Sequence, residues 1–351
     1  MTSGNLAEAA AQFDGGRLTL ARRLSGLRKN ALAAAVELTP AAISFYESGT
    51  KRPSPPTVAK LALALGVEPR FFLPGAGAAP ATAHFRSLRS TTQLARDQAE
   101  AYVQVVTEVT AVLERHVDFP PVRLVSAPVP LDCADDAPER AAAALRALWD
   151  LGDGPVPHTI RAAEGNGVLT VFTPPQSASV DAYSVSRADR PLVLLNPAKD
   201  DYYRQRFDVA HELGHLVMHA DEEPGNTVVE NQANRFAAEF LLPAAAIADH
   251  LPTRADWPRL ATLKEHWGVS LQALLYRARQ LGRMRDVTYR NAMTTISTRG
   301  WRRREPGTVL SVEQPSLLPR ALELLPAGLL AAESRVPDHL LAIVTSRTPA
   351  G

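Results

Sequence analysis

Apolar residues change their spacing several times along the chain, and each change marks a predicted element. Between residues 17 and 73, Leu and Ala recur at short helical spacings interrupted by turn signals, and Thr39-Pro40 reads as an N-cap followed by proline in the first helical turn. Residues 74–83 hold only Pro, Gly, Ala and Thr, offer nothing to a core, and read as a linker. Helical periodicity returns over 85–117 through Tyr102, Val105, Val109, Val112 and Leu113, which predicts one long connecting helix over 84–121. A further helix is expected over 139–149, followed by three short β-rich runs at 167–172, 182–185 and 192–195. Phe207, Ala210, Leu213, Gly214 and Val217 then define one helix, and Ala233, Phe236, Ala237, Phe240 and Leu241 another that Pro243 ends. Residues 258–306 are helical again, with Gly268-Val269-Ser270 as a turn between two helices. Strands ahead of a helix pair indicate an α+β domain over 122–257, preceded by an all-α module and followed by C-terminal helices.

On the helix at 207–219 the order His211-Glu212-Leu-Gly-His215 puts two imidazoles one turn apart with a carboxylate beside them. Residues four apart share a helix face, so His211 and His215 can grip one Zn²⁺ while Glu212 faces the water that completes a hydrolytic site. A catalytic zinc needs a third protein ligand. The metzincin pattern is excluded, because Gly and His would be required where Met218 and Asp221 stand. His219 lies two turns from His211, about 12 Å along the axis, and reads as a C-terminal residue favoured by the helix dipole. The next helix can return a carboxylate from Glu230 or Glu239. Glu230 shares a face with Asn234, whose amide can orient a ligand, in the manner of glutamate zincins.

Together, the segment from Arg206 to His215 and the run Glu230-x-x-Ala-Asn234-x-Phe-Ala-Ala-x-x-Leu-Leu-Pro resemble the ImmA/IrrE family of metallopeptidases. Weaker likeness extends upstream to Ile160 and downstream to Arg302. The resemblance implies a zincin-like fold, Zn²⁺ held by His211, His215 and Glu230, Glu212 as general base, and a transcriptional repressor as protein substrate. Residues 32–49, Leu-Ala-Ala-Ala-Val-Glu-Leu-Thr-Pro-Ala-Ala-Ile-Ser-Phe-Tyr-Glu-Ser-Gly, resemble the helix-turn-helix of Xre/Cro-type repressors. The domain reading is therefore a helix-turn-helix domain at 1–73, the linker and connecting helix, a metallopeptidase domain at 122–257, a helical, helix-turn-helix-like subdomain at 258–306 and a tail at 307–351. The subdomain reads as a packing scaffold for the zinc domain, with direct DNA contact as the alternative. No role is assigned to the tail.

Charge sharpens this picture. The chain total is +1, yet residues 17–70 carry nine Lys/Arg against three Asp/Glu, whereas 211–256 carry eight acids against two Arg. A basic N-terminal module suits DNA phosphates, with Arg28, Lys29, Thr39, Ser44, Lys51 and Arg52 as candidate contacts. Base reading is weakly provided for, since the recognition helix presents Pro40, Ala41, Ser44 and Phe45 rather than Arg, Gln or Asn. Glu37 stands where this turn often has Gly; a positive φ there costs about 1 kcal/mol. Capture of another repressor's helix-turn-helix is the alternative role for the module.

No apolar stretch approaches 18 residues and no secretory leader is visible, so a cytoplasmic location with no membrane partner is expected. One cysteine, Cys133, excludes an internal disulfide and a thiolate metal cluster. Tyr183, Tyr202, Tyr203 and Arg206 are candidate oxyanion stabilisers. The run 192–195 is expected either as an edge strand that aligns substrate or as an ordinary core strand. The competing reading of the whole chain is a DNA-binding transcriptional regulator whose zinc site is structural or vestigial.

Overall fold

The computed structural model describes residues 3–75, 92–133, 135–174, 182–187, 189–198, 201–219, 226–308 and 310–347. They divide into two compact units, one drawn from Met1–Phe119, Phe172–Val180 and Leu317–Gly351 and the other from Pro120–Val171 and Asp181–Ser316. Most of the expected linker, 76–83, and the first residues of the connecting helix, 84–91, lie outside the described residues.

The first unit is helical. It begins with α1 (Ser3–Ala11), α2 (Gly15–Leu24), α3 (Lys29–Ala35), α4 (Pro40–Glu47), α5 (Pro55–Leu65) and a 3₁₀ turn at Pro69–Phe72. Leu18, Leu32, Ile43, Val58, Leu61 and Phe71 are fully buried and make its core. Side-chain caps start most of these helices: Thr39 Oγ1 accepts from Ala42 N at 3.2 Å, as the Thr-Pro pair predicts, and Asp14 and Ser54 do the same for α2 and α5. Glu37, in the turn between α3 and α4, adopts φ 58°, and its exposed carboxylate pairs with Lys60 at 2.7 Å.

The long helix α6 (Gln93–Glu114) packs on α2. Arg17 Nη1 meets Glu108 at 2.6 Å in a buried pair, and Gln98 Nε2 donates to Leu24 O at 2.9 Å.

The second unit opens with α7 (Ala137–Leu148) and α8 (Thr159–Gly165), then strands β1 (Leu169–Phe172), β2 (Ala182–Val185) and β3 (Leu192–Leu195). The sheet order is β1-β3-β2, with β2 antiparallel to β3 in the register Ala182 to Leu195 through Val185 to Leu192. The edge-strand expectation for 192–195 is corrected: β3 is the central strand, and its four residues are all buried. An unbroken Leu-Val-Leu-Leu run has no polar face to turn toward solvent, which suits the middle of a sheet covered on both sides. Among the described residues β2 is an edge.

Helix α9 (Tyr202–Met218) packs on β2 and β3, and α10 (Thr227–Leu241) packs on α9 and α7. Gly214 permits the α9–α10 approach, since a Cβ there would lie 3.0 Å from the Phe236 ring. The short α11 (Ala244–Ile247) leads to α12 (Trp257–Trp267), α13 (Leu271–Gln280) and α14 (Asp286–Thr298). Leu260, Leu274, Leu275 and Ala278 are fully buried, and Arg277 reaches from α13 to the Glu239 carboxylate and to Leu242 O, so α12 and α13 pack as a scaffold behind the α10 C-terminus.

The tail divides between the units. Glu313, only 4 % exposed, accepts from Thr159 N and Ile160 N at 3.0 and 2.9 Å at the start of α8, and pairs with the fully buried Arg206 of α9. An anion at a helix N-terminus is favourable by itself, and here it also neutralises a guanidinium that has no other carboxylate partner among the described residues. Arg206 completes its bonds on Gly268 O and Val156 O. Gly268 adopts φ 64° where the backbone must turn left-handed, and a Cβ on it would press on the same guanidinium at 3.1 Å.

The last helices, α15 (Leu317–Glu323), α16 (Leu329–Ser334) and α17 (Asp338–Val344), return to the first unit and pack on α6, with Arg115 and Glu333 paired at 2.6 Å. Among the described residues no helix is long and apolar enough to cross a membrane.

Candidate metal centre

Helices α9 and α10 bring His211, His215 and Glu230 together, with one ligand atom from each within 4.8 Å of the others. His211 Nε2 lies 3.0 Å from His215 Nε2 and 3.2 Å from a Glu230 oxygen, and His215 Nε2 lies 3.7 Å from the other oxygen. Donors around a tetrahedral ion at roughly 2.1 Å stand about 3.4 Å apart, so the three separations bracket what Zn²⁺ requires. The chemistry of the donor set, two imidazoles and a carboxylate, is that of a catalytic zinc with one position left for water.

The outward nitrogen of each imidazole is already engaged. His211 Nδ1 is 3.0 Å from Asn234 Oδ1, so the amide one turn beyond Glu230 holds the ring as its position on α10 suggested. His215 Nδ1 is 3.1 Å from His219 Nδ1, His219 Nε2 is 2.9 Å from Gln232 Oε1, and Gln232 Nε2 donates to Pro130 O at 2.8 Å. The dipole reading of His219 is therefore replaced: the ring is fully buried and forms the middle of a chain that ends on a backbone carbonyl. Because Pro130 can only accept, the polarity of the chain propagates inward. Gln232 accepts from His219 Nε2–H, His219 Nδ1 accepts from His215 Nδ1–H, and the His215 Nε2 lone pair is left facing the cluster.

Glu212 is 2 % exposed and accepts from Ser184 Oγ at 2.6 Å. Ser184 stands on β2, and no local pattern in the sequence marks it, because its partner is 28 residues away. Burial alone would push the His211 imidazole below its ordinary pKa, but the Glu230 carboxylate at 3.2 Å, with Glu212 and Asn234, outweighs it and holds it above. The cluster thus favours positive charge.

Two oxyanion candidates are removed. Arg206 is consumed by Glu313, and Tyr183 is buried next to Ser184 in β2, so alternation sends it to the opposite face of the sheet. Tyr202 and Tyr203 sit in the first turn of α9, about 12 Å before His211. The alternative third ligand, Glu239, is held by Arg277 and by Ala244 N at 3.0 Å, outside the cluster.

In the first unit, Arg28 and Lys51 are exposed, with Lys51 above the Phe45 ring at 5.0 Å. Lys29 pairs with Glu47 at 3.1 Å and bonds Ser44 Oγ at 3.3 Å, and Arg52 donates to Ala11 O at 2.7 Å. Those two cations hold the module together as well as facing outward.

Residues 163–279 match the model of the IrrE N-terminal-like domain, a peptidase family, and residues 18–72 match a helix-turn-helix model. No curated protein matches the chain. The first match spans β1 to α13 and includes the whole metal cluster; the second spans the α2–α5 region. One chain thus joins a region similar to the IrrE N-terminal-like peptidase domain to a region similar to a helix-turn-helix.

Proposed function

We propose that the chain is a zinc-dependent endopeptidase acting on a regulatory protein, with a helix-turn-helix repressor as the fitting substrate class, and that its N-terminal module binds DNA. The observation that carries the reading is a buried carboxylate, Glu212, next to a convergent set that among the described residues consists of three ligands, His211, His215 and Glu230. A structural zinc site closes its fourth position with another protein ligand and has no use for a buried, oriented carboxylate, which disfavours the regulator with a structural site.

Bound there, zinc would supply Lewis acidity toward a water and a scissile carbonyl. Glu212 takes the water proton and then delivers it to the leaving amine. Ser184 fixes the rotamer of Glu212, Asn234 and His219 fix the two imidazoles, and Glu230, with a side chain 37 % exposed, borders the solvent side from which a peptide enters.

Chelator treatment is expected to abolish cleavage of an unfolded protein such as casein, and stoichiometric Zn²⁺ to restore it. Cleavage that survives chelation refutes the metallopeptidase reading. Replacing His219 with Phe should remove the acceptor for His215 Nδ1–H and weaken zinc binding by about 10- to 100-fold, measured by competition with a chromophoric chelator. An unchanged affinity would show that the buried chain does not orient the ligand.

DNA binding by the full chain should weaken steeply with salt. Arg28→Ala and Lys51→Ala should each reduce the slope of log K against log salt by up to about 0.9. Lys29→Ala should also lower thermal stability, because Glu47 loses a partner. Salt-insensitive binding would favour repressor capture by this module.

A further inference from the structure

A cleft of about 920 Å³ in the second unit opens beside the metal cluster, with Glu230 and Asn234 in its lining. Its walls come from α9, α10, α13, α14 and the turn after α14. Phe207, Tyr276, Tyr289, Met293 and Trp301 line it, and each is only half-buried, so folding has left much of their apolar surface uncovered. The Trp301 wall is held in place: its ring stands edge-on to Trp257 at 5.2 Å, and Arg299 lies over it at 4.9 Å.

The charges on the cleft are unequal in their commitments. Glu305 pairs with Lys264 at 2.8 Å and accepts from Leu271 N, Asp201 caps α9 through Arg204 N at 3.0 Å, and Glu230 faces the imidazoles. Arg302 and Arg303 are exposed and have no ion-pair partner among the described residues. Arg204 and Asp208 of α9 add one charge of each sign to the lining, so the charge left without an ion-pair partner among the described residues is the positive charge of Arg302 and Arg303, above a floor of aromatic and thioether groups. A duplex is bound across a basic surface through its phosphates, with no use for a concave apolar floor; an extended peptide uses both.

We propose that this cleft selects the substrate of the metal site, and that it takes a peptide segment presenting a large apolar side chain flanked by acidic residues. The selection rests on the peptidase reading. The apolar side chain displaces water from Tyr276, Met293 and Trp301, and the acidic neighbours meet Arg302 and Arg303.

The test uses the full chain carrying Glu212→Gln, loaded with zinc, and fluorescein-labelled Gly-Ser peptides whose central residue is Phe or Ala and whose flanking residues are Glu or Lys. The same peptides are incubated with the parent chain, and cleavage is followed by mass spectrometry. The Phe peptide with Glu flanks should bind about tenfold or more tightly than its Ala counterpart. Lys flanks should weaken binding severalfold, less so at high salt. Met293→Ala together with Tyr276→Ala should erase the preference for Phe, and Arg302→Glu with Arg303→Glu, both at exposed positions, should invert the preference for the flanks.

Equal binding of all peptides by a chain whose parent cleaves them overturns the cleft proposal and leaves the peptidase reading standing. The expected preferences in a chain whose zinc-loaded parent cleaves none overturn the peptidase reading alone. If the double arginine substitution releases duplex DNA and leaves peptide affinity unchanged, the arginines belong to nucleic acid and the acidic half of the proposal fails.

Discussion

Glu212→Gln is expected to lower peptide cleavage by at least about 10²-fold while zinc content stays at the parent level. The two halves of that result have separate causes. The amide cannot accept the water proton at neutral pH, so the general-base step is lost. The metal is retained because Glu212 is not one of the three converging ligands, and because Gln is nearly isosteric in a position only 2 % exposed. Ser184 Oγ, which donates to Glu212 at 2.6 Å, can donate equally well to the amide oxygen, so the site keeps its packing. Parallel assays of zinc by atomic absorption and of cleavage decide the matter. Undiminished proteolysis removes the general-base role, and loss of zinc would make Glu212 part of the metal-binding set. Ser184→Ala gives a graded control: the carboxylate stays but its rotamer is freed, and a smaller fall in kcat with little change in zinc affinity is expected.

What the sequence made legible follows from how local each signal is. His211, Glu212 and His215 lie within one turn, so their chemistry and their common face can be read from spacing alone. Glu230 lies 15 residues beyond His215 across residues 220–225, which lie outside the described set; spacing alone left Glu239 as an alternative, and Glu230 was preferred on the Asn234 amide that shares its face and on the family resemblance. The groups that orient the cluster carry no local mark. Ser184 acts across a strand-to-helix contact, and His219 looks like an ordinary helix terminus until its burial and its bond to His215 are seen. Glu313 is the extreme case, an acid in a Pro-rich tail whose partner Arg206 is 107 residues earlier. The tail helices α15, α16 and α17 span 7, 6 and 7 residues, too short to be stable without packing, and so they left no decisive pattern.

Glu230→Ala and Glu239→Ala should fail in different ways, although the two acids share helix α10. Glu230 lies among the metal cluster with a side chain 37 % exposed, and its removal leaves the fold with nothing buried and unpaired. Zinc affinity should fall by at least one order of magnitude and activity with it, while the metal-free melting temperature hardly changes. Glu239, by contrast, gains no ion pair from Arg235 four residues earlier on α10, which pairs with Glu139. Its partner comes instead from α13, where the fully buried Arg277 reaches it, and its other oxygen accepts from Ala244 N at 3.0 Å. Alanine at 239 strands a buried guanidinium, a change that costs on the order of 3–5 kcal/mol. The Glu239 variant should therefore melt well below the parent yet, at a temperature where it is folded, bind zinc with unaltered affinity. Paired zinc titrations and thermal unfolding of the metal-free chains separate the outcomes. Zinc loss from the Glu239 variant while it remains folded would move the third ligand and break the correspondence of Glu230 with the cluster.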